Sequence, residues 1–140
     1  MKKILTIALL FVGVSLFAQV SSTTSTSTPA QTPALTTKAK ELCKTWSLTM
    51  TENFGDQHKP TEKQVNDMLM LMENGRYRLI MDGAAEGGTW SLSKDNLWLT
   101  VTSDAGAIKK FKVLETTATS LKIDYRDADD IHNILMYTKK

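Results

Sequence analysis

The chain has 140 residues, with 17 Lys and Arg against 15 Asp and Glu, and a formal net charge of +2. That length allows one modest domain with room for a targeting segment. The 41% share of hydrophobic residues excludes a wholly disordered chain, and the single cysteine excludes an internal disulfide framework.

Residues 1–18 have the order of a secretory signal peptide. Met1-Lys2-Lys3 forms a positive head, residues 4–17 form an almost unbroken apolar run, and Ala18 precedes a polar segment. The run is too short for a bilayer-spanning helix, which needs about 20 residues. We therefore expect cleavage after Ala18, export to the periplasm or the medium, and no stable membrane anchor afterwards. An uncleaved anchor is the alternative.

Removal of this segment changes the charge balance. Lys2 and Lys3 leave with it, so that 15 basic side chains face 15 acidic ones. Binding of nucleic acid or of an anionic membrane needs a clustered basic field. The longest remaining basic cluster, Lys109-Lys110-Phe111-Lys112, alternates between the two faces of a predicted strand. We expect no nucleic-acid partner.

Residues 19–37 form a low-complexity segment. It is rich in Ser and Thr, contains Pro29 and Pro33, and has neither charge nor apolar period. Such a segment buries too little apolar surface to offset the entropy of ordering, so we predict a disordered linker. A glycan-bearing stalk is the alternative, although no Asn-x-Ser/Thr sequon occurs in the chain. The folded domain is predicted at residues 38–140.

Short strands separated by turn signals follow. Alternation of apolar and polar residues, as in Trp46-Ser47-Leu48-Thr49-Met50, predicts strands with one inner face. The Asn74-Gly75 pair is a strong hairpin signal. Evenly spaced strands joined by turns predict an all-β fold, an antiparallel up-and-down barrel of about eight strands. The predicted strands are Lys44–Glu52, Asp67–Glu73, Arg76–Asp82, Gly87–Ser93, Leu97–Thr102, Ala107–Glu115, Ser120–Arg126 and Ile131–Thr138.

The longest predicted connection, Asn53–Asn66, carries a helical signal. Thr61 and Gln64 match a capping box after Pro60, so we expect a short helix or turn there. A long first loop is either a lid over the barrel mouth or a surface crossover that seals the core.

The predicted hairpin Asp67–Asp82 has two possible registers. A two-residue turn places Met68, Met70 and Met72 on the inner face. A longer turn with a glycine bulge places Leu69 and Leu71 there instead. Since both faces of this strand are apolar, alternation leaves the choice open.

Several of these segments resemble lipocalin-like domain proteins, a family of calycin-like β-barrels common among secreted proteins of Bacteroidetes-type bacteria. The run Leu42-Cys43-Lys44-Thr45-Trp46-Ser47-Leu48 is similar to the family's Leu-x-Gly-x-Trp-x-Leu opening, with Lys44 in place of glycine. The later segments that resemble it are Glu73–Tyr77, Gly88–Ser93, Asn96–Leu99, Val113–Glu115 and Leu121–Ile123. The resemblance implies a lipocalin-like barrel, often without an assigned ligand, and transfers no catalytic residues.

No constellation predicts catalysis, and we expect no enzyme, cofactor or metal. Asp127-Ala128-Asp129-Asp130-Ile131-His132 is the only dense ligand candidate, but it lacks the calcium-loop pattern and lies where a turn is expected. Cys43 is a nucleophile only if a base approaches it, and is otherwise a buried small apolar residue. His58 lies in a loop and is expected to be exposed.

Two functions of different classes remain. The first is a barrel that binds a small apolar or amphipathic ligand in its interior. The second is a filled barrel that binds a protein partner, as a secreted protease inhibitor or an envelope accessory does, with Trp98 on its outer face. An apolar cavity of roughly 300 Å³ or more favours the first, and an interior without a cavity, together with Trp98 in an exposed apolar patch, favours the second.

The candidate ligand contacts are the inward residues of the predicted strands. They are Trp46, Leu48, Met50, Tyr77, Leu79, Met81, Trp90, Leu92, Leu99, Phe111, Ile123 and Tyr125. The same alternation also places Leu97, Val101, Val113, Leu121, Leu135 and Tyr137 inside.

Overall fold

The structure, a computed structural model, describes residues 34–140 as one short helix and nine strands. The predicted signal peptide and most of the predicted linker lie outside the described residues. The elements are α1 Thr37–Leu42, β1 Thr45–Asn53, β2 Asp56–His58, β3 Met68–Leu71, β4 Arg76–Met81, β5 Ala84–Leu92, β6 Trp98–Ser103, β7 Ile108–Thr116, β8 Ser120–Arg126 and β9 His132–Lys139.

The sheet closes on itself as an antiparallel up-and-down barrel. Strands β3 to β9 pair in sequence order, and β1 pairs with β9 to close the ring. On its other side β1 pairs with β3 near its start and with β2 near its end. The predicted eight-stranded barrel is therefore confirmed. Strand β2 is an extra strand of three residues, which pairs with the end of β1 on the same side as β3 pairs with its start.

Strand β2 and helix α1 are the two elements that the sequence did not predict. A two-residue turn of Phe54 and Gly55, both with positive φ, folds β2 back onto β1. Helix α1 has six residues, and Thr36 caps it by accepting a hydrogen bond from the Ala39 amide at 3.2 Å. Leu35 packs against the core, so the described fold begins before the predicted boundary at residue 38.

The expected helix or turn in the long first loop is a turn. The Thr61 amide donates to Oε1 of Gln64 at 3.2 Å, and the Gln64 amide donates to the Thr61 carbonyl at 2.9 Å. The predicted capping-box pair therefore forms, but residues 62–66 are turns and do not continue as a helix.

The register of the β3–β4 hairpin is the one with the longer turn. Leu69 lies opposite Leu79 and Leu71 opposite Tyr77, and all four are buried. The turn spans residues 72–75 and ends with Gly75 at φ 79°. Of the two registers that the sequence left open, the structure selects the one that turns the methionines of β3 outward.

Two predicted inward positions are wrong. Thr49 is an extra residue in β1 opposite β9, and this bulge reverses the alternation, so that Thr51 follows Leu48 on the inner face and Met50 lies outside. Leu97 lies before β6 begins, in the turn at the barrel end, and is 46% exposed.

The barrel interior is filled with large side chains. Those that are fully buried come from α1 and from every strand except β2, β5 and β9, which supports one continuous core. They are Leu42, Trp46, Leu69, Tyr77, Leu79, Leu99, Val101, Phe111, Leu121 and Ile123.

Candidate functional site

The antiparallel order places alternate connections at the same end of the barrel. We call the end formed by residues 54–67, 82–83, 104–107 and 127–131 the open end. The helix-covered end consists of α1 and the turns between β3 and β4, β5 and β6, and β7 and β8.

The helix-covered end is packed shut. Leu42 of α1 is fully buried, and its carbonyl accepts the Trp46 indole N–H at 3.0 Å. The Trp90 indole N–H donates to the Met72 carbonyl at 2.9 Å. Because both indole donors are satisfied and both rings are buried, this end of the interior has the properties of a core and not of a binding site.

A pocket of about 150 Å³ lies at the open end of the barrel. Its walls come from β1, β4, β8, β9 and the loop between β2 and β3. The lining residues are Leu48, Thr51, Asn53, Gln64, Asp67, Met81, Asp82, Tyr125, Asp127, Asn133, Leu135 and Tyr137. The pocket therefore combines apolar side chains with a larger number of polar ones.

The bulge in β1 gives the pocket its polar wall. Without it, Met50 and Glu52 would face inward. With it, Thr51 and Asn53 do so, while Glu52 pairs with Lys122 of β8 at 3.6 Å. The hydroxyl of the extra residue, Thr49, donates to the Met136 carbonyl at 3.0 Å and so helps to hold the bulge in place.

Asp67 fixes the corner of the pocket beside β4. Its side chain is 4% exposed, and its two carboxylate oxygens accept the amides of Asp82 at 2.7 Å and Gly83 at 3.1 Å. This carboxylate therefore holds the β4–β5 turn against the start of β3.

Asp127 contributes a second carboxylate at the β8–β9 turn. It accepts the amides of Ile131 and Asp129, both at 3.0 Å, and the Asn133 side chain at 3.2 Å. The hydrogen bond from the Ile131 backbone is the main reason that the pKa of Asp127 lies below its usual range. Asp127 is therefore an anion at neutral pH.

Tyr137 presents a free hydroxyl to the pocket. The residue is only 3% exposed, and its hydroxyl makes no hydrogen bond to any residue between 34 and 140; the oxygen opens on the pocket and is not one of the fully enclosed atoms without a partner. Burial raises the pKa of the phenol, and the carboxylates of Asp67 and Asp82 raise it further. The neutral hydroxyl can thus donate to or accept from a molecule in the pocket.

The loop between β2 and β3 covers part of the open end. The Gln64 side-chain amide donates to Oδ1 of Asp82 at 2.8 Å, and the Asp67 carbonyl accepts the Leu48 amide at 3.0 Å. Of the two roles considered for this loop, the position of Gln64 in the pocket wall favours a lid.

A second polar cluster inside the open end is satisfied within itself. Lys109 pairs with Glu86 at 2.5 Å, and the Tyr77 hydroxyl donates to the other oxygen of Glu86 at 3.2 Å. Burial, followed by the charge of Glu86, raises the pKa of Tyr77 to about 12. No free polar group of this cluster is left for a ligand.

The twelve candidate contacts are distributed over three places. Leu48, Met81 and Tyr125 line the pocket, and Met50 lies on the outer face of β1. The remaining eight belong to the packed interior or lie against it, namely Trp46, Tyr77, Leu79, Trp90, Leu92, Leu99, Phe111 and Ile123.

The polar residues of the pocket were not predicted from the sequence. Alternation places Thr51 outside, Asn53 begins the predicted long connection, and Asp67, Asp82 and Asp127 are interpreted only as strand ends and turn formers. The one available signal was the dense acidic run before β9, because Asp127 is its first residue.

The cysteine and the two histidines are the other residues that were considered for chemistry. Cys43 is half-buried, its thiol donates to the Ala39 carbonyl at 3.3 Å, and burial raises its pKa, so that it is a poor nucleophile at neutral pH. His58 is exposed, and His132 contacts Asp124 at 2.8 Å. In residues 34–140, no three His, Cys, Asp or Glu side chains are grouped as a metal site requires.

A groove of about 470 Å³ lies on the outer face and shares Tyr125 and Asp127 with the open-end pocket. Trp98, which the sequence placed outside, is 42% exposed there, and Ile108 is 63% exposed. Lys110, Lys112 and Arg126 also line this groove. An aromatic side chain among cations on a sheet surface is a candidate protein contact.

No family model and no curated protein matches the chain. One similar solved structure is a de novo designed fluorescence-activating β-barrel, with 8% identity, a TM-score of 0.47, and coverage of 76% of this chain and 100% of the designed one. That likeness carries no argument about function. Within residues 34–140, no helix is long and apolar enough to cross a membrane.

Proposed function

We propose that the protein is an exported, lipocalin-like binding barrel, and not an enzyme, that holds a small amphipathic molecule in its open-end pocket. The observation that carries this proposal is Tyr137, a residue only 3% exposed that lines a cavity with both polar and apolar walls and whose hydroxyl has no hydrogen-bond partner among the described residues. A hydroxyl that opens on a pocket and is not used within the fold is available to donate to, or accept from, a bound molecule.

The size of the pocket limits the ligand. At about 150 Å³ it is half of the lower limit for drug-sized ligands, which is about 300 Å³. A long lipid or a large cofactor has no space in the packed interior behind it. We therefore propose a ligand of a few non-hydrogen atoms, or one that inserts only its head into the open end.

The test is native mass spectrometry of the protein purified from the envelope of its own host. A co-purifying small mass whose bound fraction falls in a Tyr137→Phe variant supports the proposal. Detection of the protein without any bound small molecule, under conditions that preserve weak complexes, contradicts it. N-terminal sequencing of the same sample tests the proposed cleavage after Ala18.

A protein-binding role is the second candidate, and the groove around Trp98 favours it. Trp98 at 42% exposure and Ile108 at 63% exposure both line this groove, with Lys110 in the register between them, and they give it exposed apolar surface. In the same mass spectrum, a co-purifying protein that is lost in Trp98→Ala and retained in Tyr137→Phe supports this role.

A further inference from the structure

We propose that the open-end pocket selects a small organic cation, a primary ammonium group carried on a short apolar chain. This inference deepens the proposed function and rests on it, since it names the ligand class of the same pocket.

The wall of the open-end pocket is acidic. Asp67, Asp82 and Asp127 line the pocket, and no Lys, Arg or His side chain does so. Of the basic residues nearby, Lys109 pairs with Glu86 and Arg126 with Asp130, while Lys59 and Lys63 of the open-end loop are exposed and do not line the pocket. Carboxylates in a partly desolvated cleft attract a cation more strongly than they would in water.

Polar groups without a hydrogen-bond partner also favour a cation, independently of the charge of the wall. Tyr137 is 3% exposed, and its hydroxyl faces the pocket without a partner among the described residues. Elsewhere in the same pocket wall, Oδ1 of Asn53 is buried without a donor. The pocket thus has an excess of acceptors, and an ammonium group supplies three donors and no acceptor.

The remaining wall accounts for the apolar chain. Leu48, Met81 and Leu135 provide aliphatic surface, and Tyr125 adds an aromatic ring. A volume of about 150 Å³ corresponds to the share of about five water molecules in the liquid, which suits a chain of a few carbons.

A bare metal ion fits these residues less well. The described part of the chain contains no group of three acidic or His side chains placed to hold one. The oxygens of Asp67 and Asp127 already accept backbone amides, so they face the pocket as a diffuse negative wall and not as convergent ligands.

The experiment titrates the full-length protein with three probes that have similar short alkyl chains and differ in the charge of their polar group. n-Butylammonium, n-butanol and butyrate are titrated separately, with binding measured by amide chemical shifts and by calorimetry. We expect n-butylammonium to bind at least about tenfold more tightly than n-butanol. Butyrate should show no binding, and added NaCl should weaken only the binding of the cation.

Three variants locate the effect. Tyr137→Phe removes only the hydroxyl and should weaken n-butylammonium about 2- to 10-fold. Asp82→Asn removes one charge, keeps an oxygen for Gln64 and leaves Asp67 in place to hold the turn, so the barrel should still fold. This variant should weaken the binding of n-butylammonium by a similar factor and leave the binding of n-butanol unchanged. Asp95→Asn, at the helix-covered end, is the matched control and should bind as the unmodified protein does.

The outcomes separate this inference from the proposed function. Equal binding of n-butanol and n-butylammonium at the pocket overturns the cation inference and leaves the binding barrel intact. Absence of binding for every probe, together with a different small mass in the native spectrum, does the same. Absence of both binding and any native ligand overturns the two together.

Discussion

Gly88 shows how one residue is required by the path of the backbone. It lies in β5 opposite Ser103 of β6, where the two strands approach very closely. A Cβ atom at this position would overlap the Thr102 carbonyl oxygen and lie 2.8 Å from the Ser103 Cα. Only glycine fits, and the next inward residue, Trp90, then lies against the core. This explains the Gly-x-Trp spacing that the sequence shows.

Replacement of Gly88 by alanine should therefore destabilise the barrel. The new methyl group forces backbone against backbone, and we expect a loss of about 1–3 kcal/mol or more in the free energy of unfolding. Urea titration followed by tryptophan fluorescence measures it.

The matched control for this substitution is Gly87→Ala in the same strand. Its Cβ would lie 3.3 Å from the Tyr77 carbonyl oxygen, a contact that a small shift relieves. We expect it to cost less than about 1 kcal/mol. Equal losses in the two variants would show that β5 is not constrained by β6 at Gly88.

At the scale of elements, α1 is a helix that depends on the barrel. Six residues are too few to be helical alone, because nucleation is costly and few hydrogen bonds follow it. Ala39 and Leu42 are buried among the strands, and the Leu42 carbonyl accepts the Trp46 indole. The helix is thus held by tertiary contacts and in return covers one end of the core.

Leu42→Ala should weaken the whole fold and not only the helix. Removal of a fully buried leucine side chain leaves a cavity and is expected to cost about 2–5 kcal/mol. Leu114→Ala removes the same atoms from a residue that is 43% exposed, and it should cost about 0.5 kcal/mol or less. Thermal unfolding of both variants by circular dichroism measures the difference. Similar melting temperatures would mean that α1 does not support the barrel.

The elements also show what the sequence can and cannot predict. Alternation of period two located β1 and β4 to β9, because one face of each is buried, and β3 was predicted as an apolar run before the Asn74-Gly75 turn. It failed after Thr49, where the bulge reverses the faces of β1 without any signal in composition. Met50 and Thr51 then have the opposite orientations to those expected. The polar pocket was missed for this reason, since Thr51 and Asn53 look like solvent-facing residues.

The empty volume inside the barrel also could not be predicted from the alternation of the sequence. Inward positions were correctly assigned for Trp46, Leu79 and Phe111, yet a list of inward residues does not state how much space they leave. Only the packed side chains show that the barrel is filled and that the cavity lies at the open end.

At the scale of the whole molecule, the contact between β1 and β9 makes the sheet a barrel. These strands are joined by six paired positions from Trp46–Lys139 to Glu52–Ile134, with the bulge between Leu48 and Met50. Closure gives both strands a neighbour on each side and so removes the long exposed edges on which further strands could assemble. It also brings residues more than 80 positions apart into contact, as in the Thr49–Met136 hydrogen bond.

The closing seam should therefore be as stable as the middle of the sheet. Amides that β1 and β9 donate to each other should exchange with solvent only through global unfolding, as should those between β5 and β6, within about 1 kcal/mol. Amides of β2, which has three paired residues on one side only, should exchange at much lower free energy. Native-state hydrogen exchange by NMR at several urea concentrations measures all three sets. Seam amides that exchange several kcal/mol more easily than the β5–β6 set would mean that the barrel opens between its first and last strands, and that the bulge at Thr49 weakens the closure it lies in.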